Sequence, residues 1–419
     1  MRHVVANASD LANAPDAAGG ADLGAFRTTT CAWLEANCPA QMREPVHDEK
    51  QLCWGGRNWK FASEAQRVWL ERMAQRGWTV PDWPREYGGG GLSAEQTTIL
   101  REEMQRLSCR SPLSSFGISM LGPALLKYGN EAQKLEHLPR IARGEIRWCQ
   151  GYSEPGAGSD LASLKTRAED RGDHYLVNGQ KVWTSYADEA DWIFCLVRTD
   201  AAAAKQKGIS FLLFDMASPG VSTRPIRLIS GKSPFCQTFF DNVRVPRANL
   251  VGVLNEGWDI AKYLLTHERE MIGGMDVFAG GHGTLCAVAA HEVGLVDGRL
   301  ADAALRTDLA RYEIDSLAFA LTMERVREQS AGGQGSGALS SLLKYCGTEL
   351  NKRRQELAMS IHGSRALVWE DERPAGRRAA DGEVGETARH WLRSRGNSIE
   401  GGTSEIQLNI IARHILRLP

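Results

Sequence analysis

Nowhere does the 419-residue chain run for the roughly 18 uninterrupted apolar residues that a membrane-spanning helix requires. Its amino terminus, MRHVVANASDLANAPDAAGGADLG, lacks the sustained apolar core of a secretory signal, so a soluble, cytoplasmic protein is expected. Neither sign of charge prevails. The 50 basic and 51 acidic side chains are well mixed and leave a formal net charge of −1, which gives no global field for nucleic acid or an anionic membrane. The nine cysteines are odd in number and contain no CxxC pair, so neither a metal centre nor a disulfide framework is expected, and a reducing compartment fits. The glycine run Gly88–Gly91 has no strand directly before it and no Lys-Ser or Lys-Thr after it, which excludes a phosphate loop there. No internal repeat is present.

What the chain does have is length and two changes of hydrophobic period. It is too long for one simple core. Residues 1–24 read as a mobile tail of small and polar residues. The segment 25–145 reads as a helical domain, with helical spacing from Leu23 to Ala40, Ser63 to Arg76, Ser93 to Leu107 and Leu113 to Arg143, and with turns near Pro123 and Gly129. Residues 78–93, with two prolines and four glycines, read as a structured loop. The segment 146–247 carries strand signals: HYLVNGQKVWTSY reads as a hairpin turning at Asn178-Gly179, followed by DWIFCLVRTD, GISFLLFDM, VSTRPIRLI and QTFFDNVRVP. From 248 to 419 helical spacing returns, interrupted by exposed loops at 327–337 and 371–386. The fold class expected is therefore α+β, in the order helical, β, helical.

Two stretches carry candidate chemistry: WCQGYSEPGAGSDLASLKT from Trp148 and KVWTSY from Lys181. The small residues from Gly156 to Ser159 let main chain approach a ligand closely and leave amides free. Trp183 offers an aromatic plane with the hydroxyls of Thr184 and Ser185 beside it, a set better suited to a planar, hydrogen-bonding cofactor than to a bare phosphate. The spacing equally suits a surface turn followed by a strand with a core tryptophan.

The wording is more specific than the spacing. SEPGAGSDLASLKT and VNGQKVWTS resemble the flavin-binding signature of the acyl-CoA dehydrogenase family, and GWDIAKYLLTHER and IEGGTSEIQLNIIARHIL resemble its other landmarks, over about Trp59 to Pro419. The resemblance implies an N-terminal helical domain, a middle β-domain and a C-terminal four-helix bundle. It implies FAD, with Gln150, Tyr152, Ser153, Gly158, Ser159, Trp183, Thr184, Ser185, Thr403 and Glu405 as candidate contacts, and Ser159 also beside an acyl-CoA thioester.

Ala261, Leu264, Leu265, Glu268 and Ile272 follow one helical face, so a carboxylate falls on a stripe expected to be buried. Burial raises a carboxyl pKa, which is useful in a base that takes a weakly acidic proton. An ion pair with Arg269 is the structural alternative. In the isovaleryl-like branch of the resembled family the catalytic glutamate precedes an arginine on this helix, as Glu268 precedes Arg269. In the medium-chain branch it precedes Gly-Thr-Ser, where this chain has Gly401, with Glu400 displaced by one residue. The resemblance thus implies α,β-dehydrogenation of an acyl-CoA to a trans-2-enoyl-CoA with Glu268 as base and Glu400 in reserve. Arg269 and the main chain of Gly401 stand on the substrate side, and an electron-transfer flavoprotein is the electron acceptor.

One departure concerns assembly. The family's Arg-x-x-Phe-Gly segment is missing from GRLADAALRTDLARYEIDS, and LAMSIHGSRAL has Met359 and His362 where a Gln and the first Gly of Gln-x-x-Gly-Gly-x-Gly would stand. These elements complete a neighbouring subunit's cofactor site. The wording instead resembles large subunits of pimeloyl-CoA-type and steroid side-chain heteromeric dehydrogenases. A dimer or tetramer is expected, including a heterotetramer with a related small subunit. The other readings are a flavin oxidase or monooxygenase on the same scaffold and a non-catalytic subunit.

Overall fold

The computed structural model describes residues 22–44, 46, 51–275, 285–331, 337–369 and 386–418, with the side chains of 267, 269–275, 327, 330 and 331 left out. Most of the tail expected at 1–24, and the centres of the loops expected at 327–337 and 371–386, lie outside the described residues. Within them, helix α1 (Leu23–Asn37) starts inside the stretch read as tail, because the Asp22 carboxylate caps the amides of Gly24 and Ala25.

The helical first part follows its caps. Ser63 caps α2 (Glu64–Gln75), and reciprocal Ser93/Gln96 and Asn130/Gln133 capping boxes open α3 (Ala94–Arg106) and α5 (Glu131–Ala142). Leu34, Trp69, Met73, Trp78 and Leu100 form the core beneath α1 to α3. Pro123, read as a turn, lies instead in the first turn of α4 (Gly122–Tyr128), which continues a π-helical turn over Gly117–Leu121. Proline lacks an N–H, and the first turn of a helix needs none.

Eight strands follow: β1 (Trp148–Gly151), β2 (Arg167–Asp170), β3 (His174–Ser185), β4 (Trp192–Arg198), β5 (Ile209–Asp215), β6 (Val221–Ile226), β7 (Phe235–Pro246) and β8 (Leu250–Val251). Their order is β6-β7-β3-β2-β4-β5-β8, and β1 pairs in parallel with β4. On β4, Phe194 and Leu196 join a core shared with the helices, while Ile193, Cys195 and Val197 join a second core on the opposite face. A strand buried on both faces is a rigid base for whatever pairs with it. His137 of α5 sets its ring edge-on to Trp148 and Trp192, 5.3 and 5.1 Å away, and so holds β1 and β4 together.

The hairpin expected at Asn178-Gly179 is not there. β3 is one 12-residue strand running past this dipeptide, where Asp241 and Asn242 of β7 together face Asn178 in a bulge. Gly179 (φ +147°) lies so close to Thr166 that a Cβ would come within 2.6 Å of its hydroxyl oxygen, so glycine serves strand packing rather than a turn.

The last part comprises α6 (Gly257–Met275), α7 (Leu285–Glu292), a small hairpin of β9 (Leu295–Val296) and β10 (Arg299–Leu300), α8 (Ala303–Ala331), α9 (Leu339–His362), helical residues 386–394 (α10) and α11 (Ser404–His414). Ile260, Ala261 and Leu264 of α6 enter the core that also contains Phe194, Phe211 and Leu213 of the sheet, which fixes α6 against the β-layer. Among the described residues no helix is long and apolar enough to cross a membrane, and no cluster has metal-ligand character.

Candidate active site

The end of β1 and the middle of β3, 27 to 29 residues apart in sequence, are tied at three points. The Val182 amide donates to the Ser153 carbonyl at 2.9 Å. The Lys181 ammonium, fully buried, donates to the Tyr152 carbonyl at 3.0 Å and to the Glu154 carboxylate at 2.8 Å. Glu154 also accepts from the amides of Lys165 and Thr166 at 2.7 and 2.9 Å, and its own main chain exchanges two hydrogen bonds with Ala157. Burial alone would raise the Glu154 pKa, but Lys181 and these donors outweigh it and hold the carboxyl below the usual range. The Glu-Pro-Gly-Ala turn is therefore clamped to β3 by a buried ion pair. Beyond it Gly158 and Ser159 are exposed, and a Cβ on Gly156 or Gly158 would meet nothing within 4 Å.

A second irregularity of β3 aims the aromatic ring. Between Lys181 and Thr184 the strand carries one more residue than β7, so Val182 and Trp183 together face Gln237. Trp183 takes φ +61° and, unlike every other strand tryptophan, is 51% exposed. Bulges of this kind re-aim side chains. Phe235 stands edge-on to the indole at 5.9 Å, and the Arg393 guanidinium lies 5.4 Å from the Phe235 ring centre. Ser185 is half-buried beside this surface.

Tyr152 and Thr184 are turned inward. Tyr152 is packed in the helix-side core and Thr184 is 0% exposed opposite Cys236, and neither hydroxyl has a hydrogen-bond partner among the described residues. Gln150, Ser153 and Ser185 are half-buried and Trp183 is exposed, so these four present side chains at the surface.

Glu268, expected on a buried stripe, is half-buried on α6, and the Gln150 amide donates to its Oε2 at 3.0 Å. Arg269, the alternative ion-pair partner, has its side chain outside the described residues. Glu400 is engaged elsewhere: it accepts from Arg393 at 2.7 Å and from Asn397. Gly401 and Gly402 follow with φ +61° and +89°, a conformation that side chains resist. Gln407 grips their carbonyls at 2.8 and 3.4 Å, and Thr403 caps α11 by accepting from the Ile406 amide, with Glu405 exposed in its first turn. A buried network from α9 holds this loop: Lys344 donates to the Asn397 carbonyl and Asn351 to its side chain, both at 2.8 Å. Burial, only partly offset by Glu400 and Glu349, lowers the Lys344 pKa.

The exposed indole, open space beside a glycine turn and the α6 carboxylate held by Gln150 of β1 fit a flat cofactor with a polar tail. The chain matches three consecutive family models: acyl-CoA dehydrogenase N-terminal domain over residues 49–145, middle domain over 149–243 and C-terminal domain over 255–416. The chain belongs to the acyl-CoA dehydrogenase family.

This family is one of flavoprotein oxidoreductases, and the chain is an enzyme of that class. The acyl-CoA dehydrogenase IpdE1 of Mycobacterium tuberculosis is 36% identical over 400 residues, covering 95% of this chain and 98% of that protein. Among solved structures, the Tcur3481-Tcur3483 steroid ACAD is similar with TM-score 0.72 at 30% identity, over 97% of this chain and 100% of that one. A chain of the ChsE4-ChsE5 complex from Mycobacterium tuberculosis is similar with TM-score 0.73 at 29% identity, again over 97% and 100%. In this acyl-CoA dehydrogenase the sequence reading missed Lys181, Glu154, Phe235 and Arg393. Lys181 was visible as a charge in a strand, yet nothing in the spacing named its partner.

Proposed function

We propose that the protein binds FAD across Trp183 and the Ser153–Ser159 turn and dehydrogenates an acyl-CoA thioester to the trans-2-enoyl-CoA, with Glu268 removing the α-proton. The observation that carries this reading is the Glu268 carboxylate held by Gln150 at 3.0 Å, on the strand whose continuation at Ser153 is bonded to the neighbour of exposed Trp183. FAD, when bound, supplies the acceptor for the β-hydride. The protein supplies the rest. Trp183 would cover the ring, Ser153 and Ser185 would present polar groups to its edge, the buried Tyr152 and Thr184 would support it from beneath, and Gly158, Ser159, Thr403 and Glu405 would line the polar end. Gly401 places main chain beside the thioester oxygen, where a donor aimed at developing negative charge lowers the barrier. Glu400, already tied to Arg393 and Asn397, remains a structural carboxylate.

Electrons leave to an electron-transfer flavoprotein, and the working form is an oligomer with a related chain. The α8 face supports association: Ile314, Leu317 and Leu321 are 67%, 63% and 58% exposed while Tyr312, Phe319 and Met323 fill the opposite side. A helix apolar on both sides is normally covered on both. Sterol-derived thioesters are the first substrates to try, since the similar Tcur3481-Tcur3483 structure is a steroid ACAD. Anaerobic mixing of the purified flavoprotein, alone and with its co-produced partner, with straight-chain, branched and sterol-derived acyl-CoAs tests the reading. Flavin bleaching with matching enoyl-CoA formation is expected; a flavin-loaded protein that no thioester bleaches overturns it.

A further inference from the structure

We propose that Gln150 is a positioning residue for Glu268, fixing the orientation of its carboxylate and lowering the pH at which it gives up its proton. This rests on the reading of Glu268 as the base. Resemblance placed Gln150 among cofactor contacts, but the structure puts its amide on the acid: Nε2 donates to Glu268 Oε2 at 3.0 Å.

Both ends of that bond are anchored. Gln150 stands opposite Phe194 in the parallel pairing of β1 with β4, and neighbouring Trp148 is held under His137. Glu268 follows Ile260, Ala261 and Leu264 along α6, all buried against the sheet. A glutamine amide has no proton to lose, so it donates at every working pH. Donation to a carboxylate favours the charged form, the reverse of what burial does. A half-buried base without such a donor spends more of its time protonated and idle near neutrality.

Charged and titratable groups near this bond come from several elements. Beside Gln150, the Tyr152 phenol is pushed well above its usual range, first by burial and then by the Glu268 charge, so it stays neutral. From α4, Lys127 lies over Tyr263 of α6 at 4.3 Å. From α9, Lys344 answers to Glu400, Glu349, Lys352 and Glu405. On α6 itself, the charged neighbours are Lys262, paired with Asp259, together with His267, Arg269 and Glu270, whose side chains lie outside the described residues.

Two readouts test the proposal on the full chain. Infrared titration, with the Glu268→Gln spectrum subtracted, follows the Glu268 carboxyl directly and needs no bound cofactor. In Gln150→Leu its midpoint is expected to rise by about half to one pH unit, the shift equivalent to one ordinary hydrogen bond. In Gln150→Glu, where a second carboxylate stands at hydrogen-bond range, the midpoint rises further. The acidic limb of kcat/KM for flavin-loaded enzyme moves the same way, a change that a merely loosened fold does not produce. An unmoved or lowered midpoint in Gln150→Leu overturns the proposal, even where Glu268→Gln is inactive, while the rise in Gln150→Glu confirms that position 150 lies within reach of the Glu268 carboxyl. Retained activity in Glu268→Gln instead overturns the assignment of the base, whatever the Gln150 variants do.

Discussion

Replacing Lys181 by methionine removes the charge that clamps the Glu154 turn to β3, beneath the proposed cofactor site, while nearly preserving volume. Glu154 is then left 8% exposed with two amide donors and no cation, and the Tyr152 carbonyl loses its donor. Breaking a buried pair from one side costs about 3–5 kcal/mol. The surviving amide bonds place Lys181→Met near the lower end, about 3 kcal/mol. Glu154→Gln costs a similar amount by stranding the ammonium, whereas the double variant strands no charge. The double is therefore expected to fall short of the sum of the singles by about 2 kcal/mol. Urea unfolding of the four proteins measures this coupling, and bound flavin per chain measures its effect on the site. The pH sign follows from the lowered Glu154 pKa: its contribution is complete above the ordinary carboxyl range and is lost as pH falls through the folded value. Lys181→Met flattens that acid limb. If Lys181→Met costs less than about 1 kcal/mol, or the single effects simply add, the ion pair is not what holds the turn to β3.

Trp183→Ala removes a ring already half in solvent, so unfolding free energy should stay within about 0.5 kcal/mol of the parent while FAD affinity falls roughly tenfold. Equal losses of both would show that the indole is a core residue. Burial lowers the His137 pKa, so the folded state favours the neutral ring, and stability is expected to fall as pH drops below its ordinary value of 6.5; His137→Phe should remove this slope in urea titrations. Leu317→Glu places a charge in the apolar α8 stripe and should shift the sedimentation profile toward monomer or free subunits without changing the monomer's helical content.

The order of helical, β and helical parts was legible because period is a local property. The helices read as starting at Ser63 and Ser93 begin one residue later, because each serine instead caps its helix by accepting from an amide three residues on. The dipeptide Asn178-Gly179 misled because the same glycine freedom serves a turn or a close strand contact, and only Thr166 decides which. The exposure of Trp183 depends on a register slip between β3 and β7, a property of two strands rather than one. Glu268 could be singled out by its position on α6, but its partner Gln150 is 118 residues away, and no spacing rule connects them. Thr184 and Ser185 looked interchangeable beside Trp183 until strand geometry turned one inward and left the other half-buried.

The most direct measurement is rapid anaerobic mixing of a substrate acyl-CoA with flavin-loaded parent, Glu268→Gln and Glu400→Gln proteins. Glu268→Gln should keep its flavin and reduce it roughly a hundred- to ten-thousand-fold more slowly, with Glu400→Gln close to the parent. Reduction by Glu268→Gln within about tenfold of the parent, or its abolition in Glu400→Gln alone, contradicts the account.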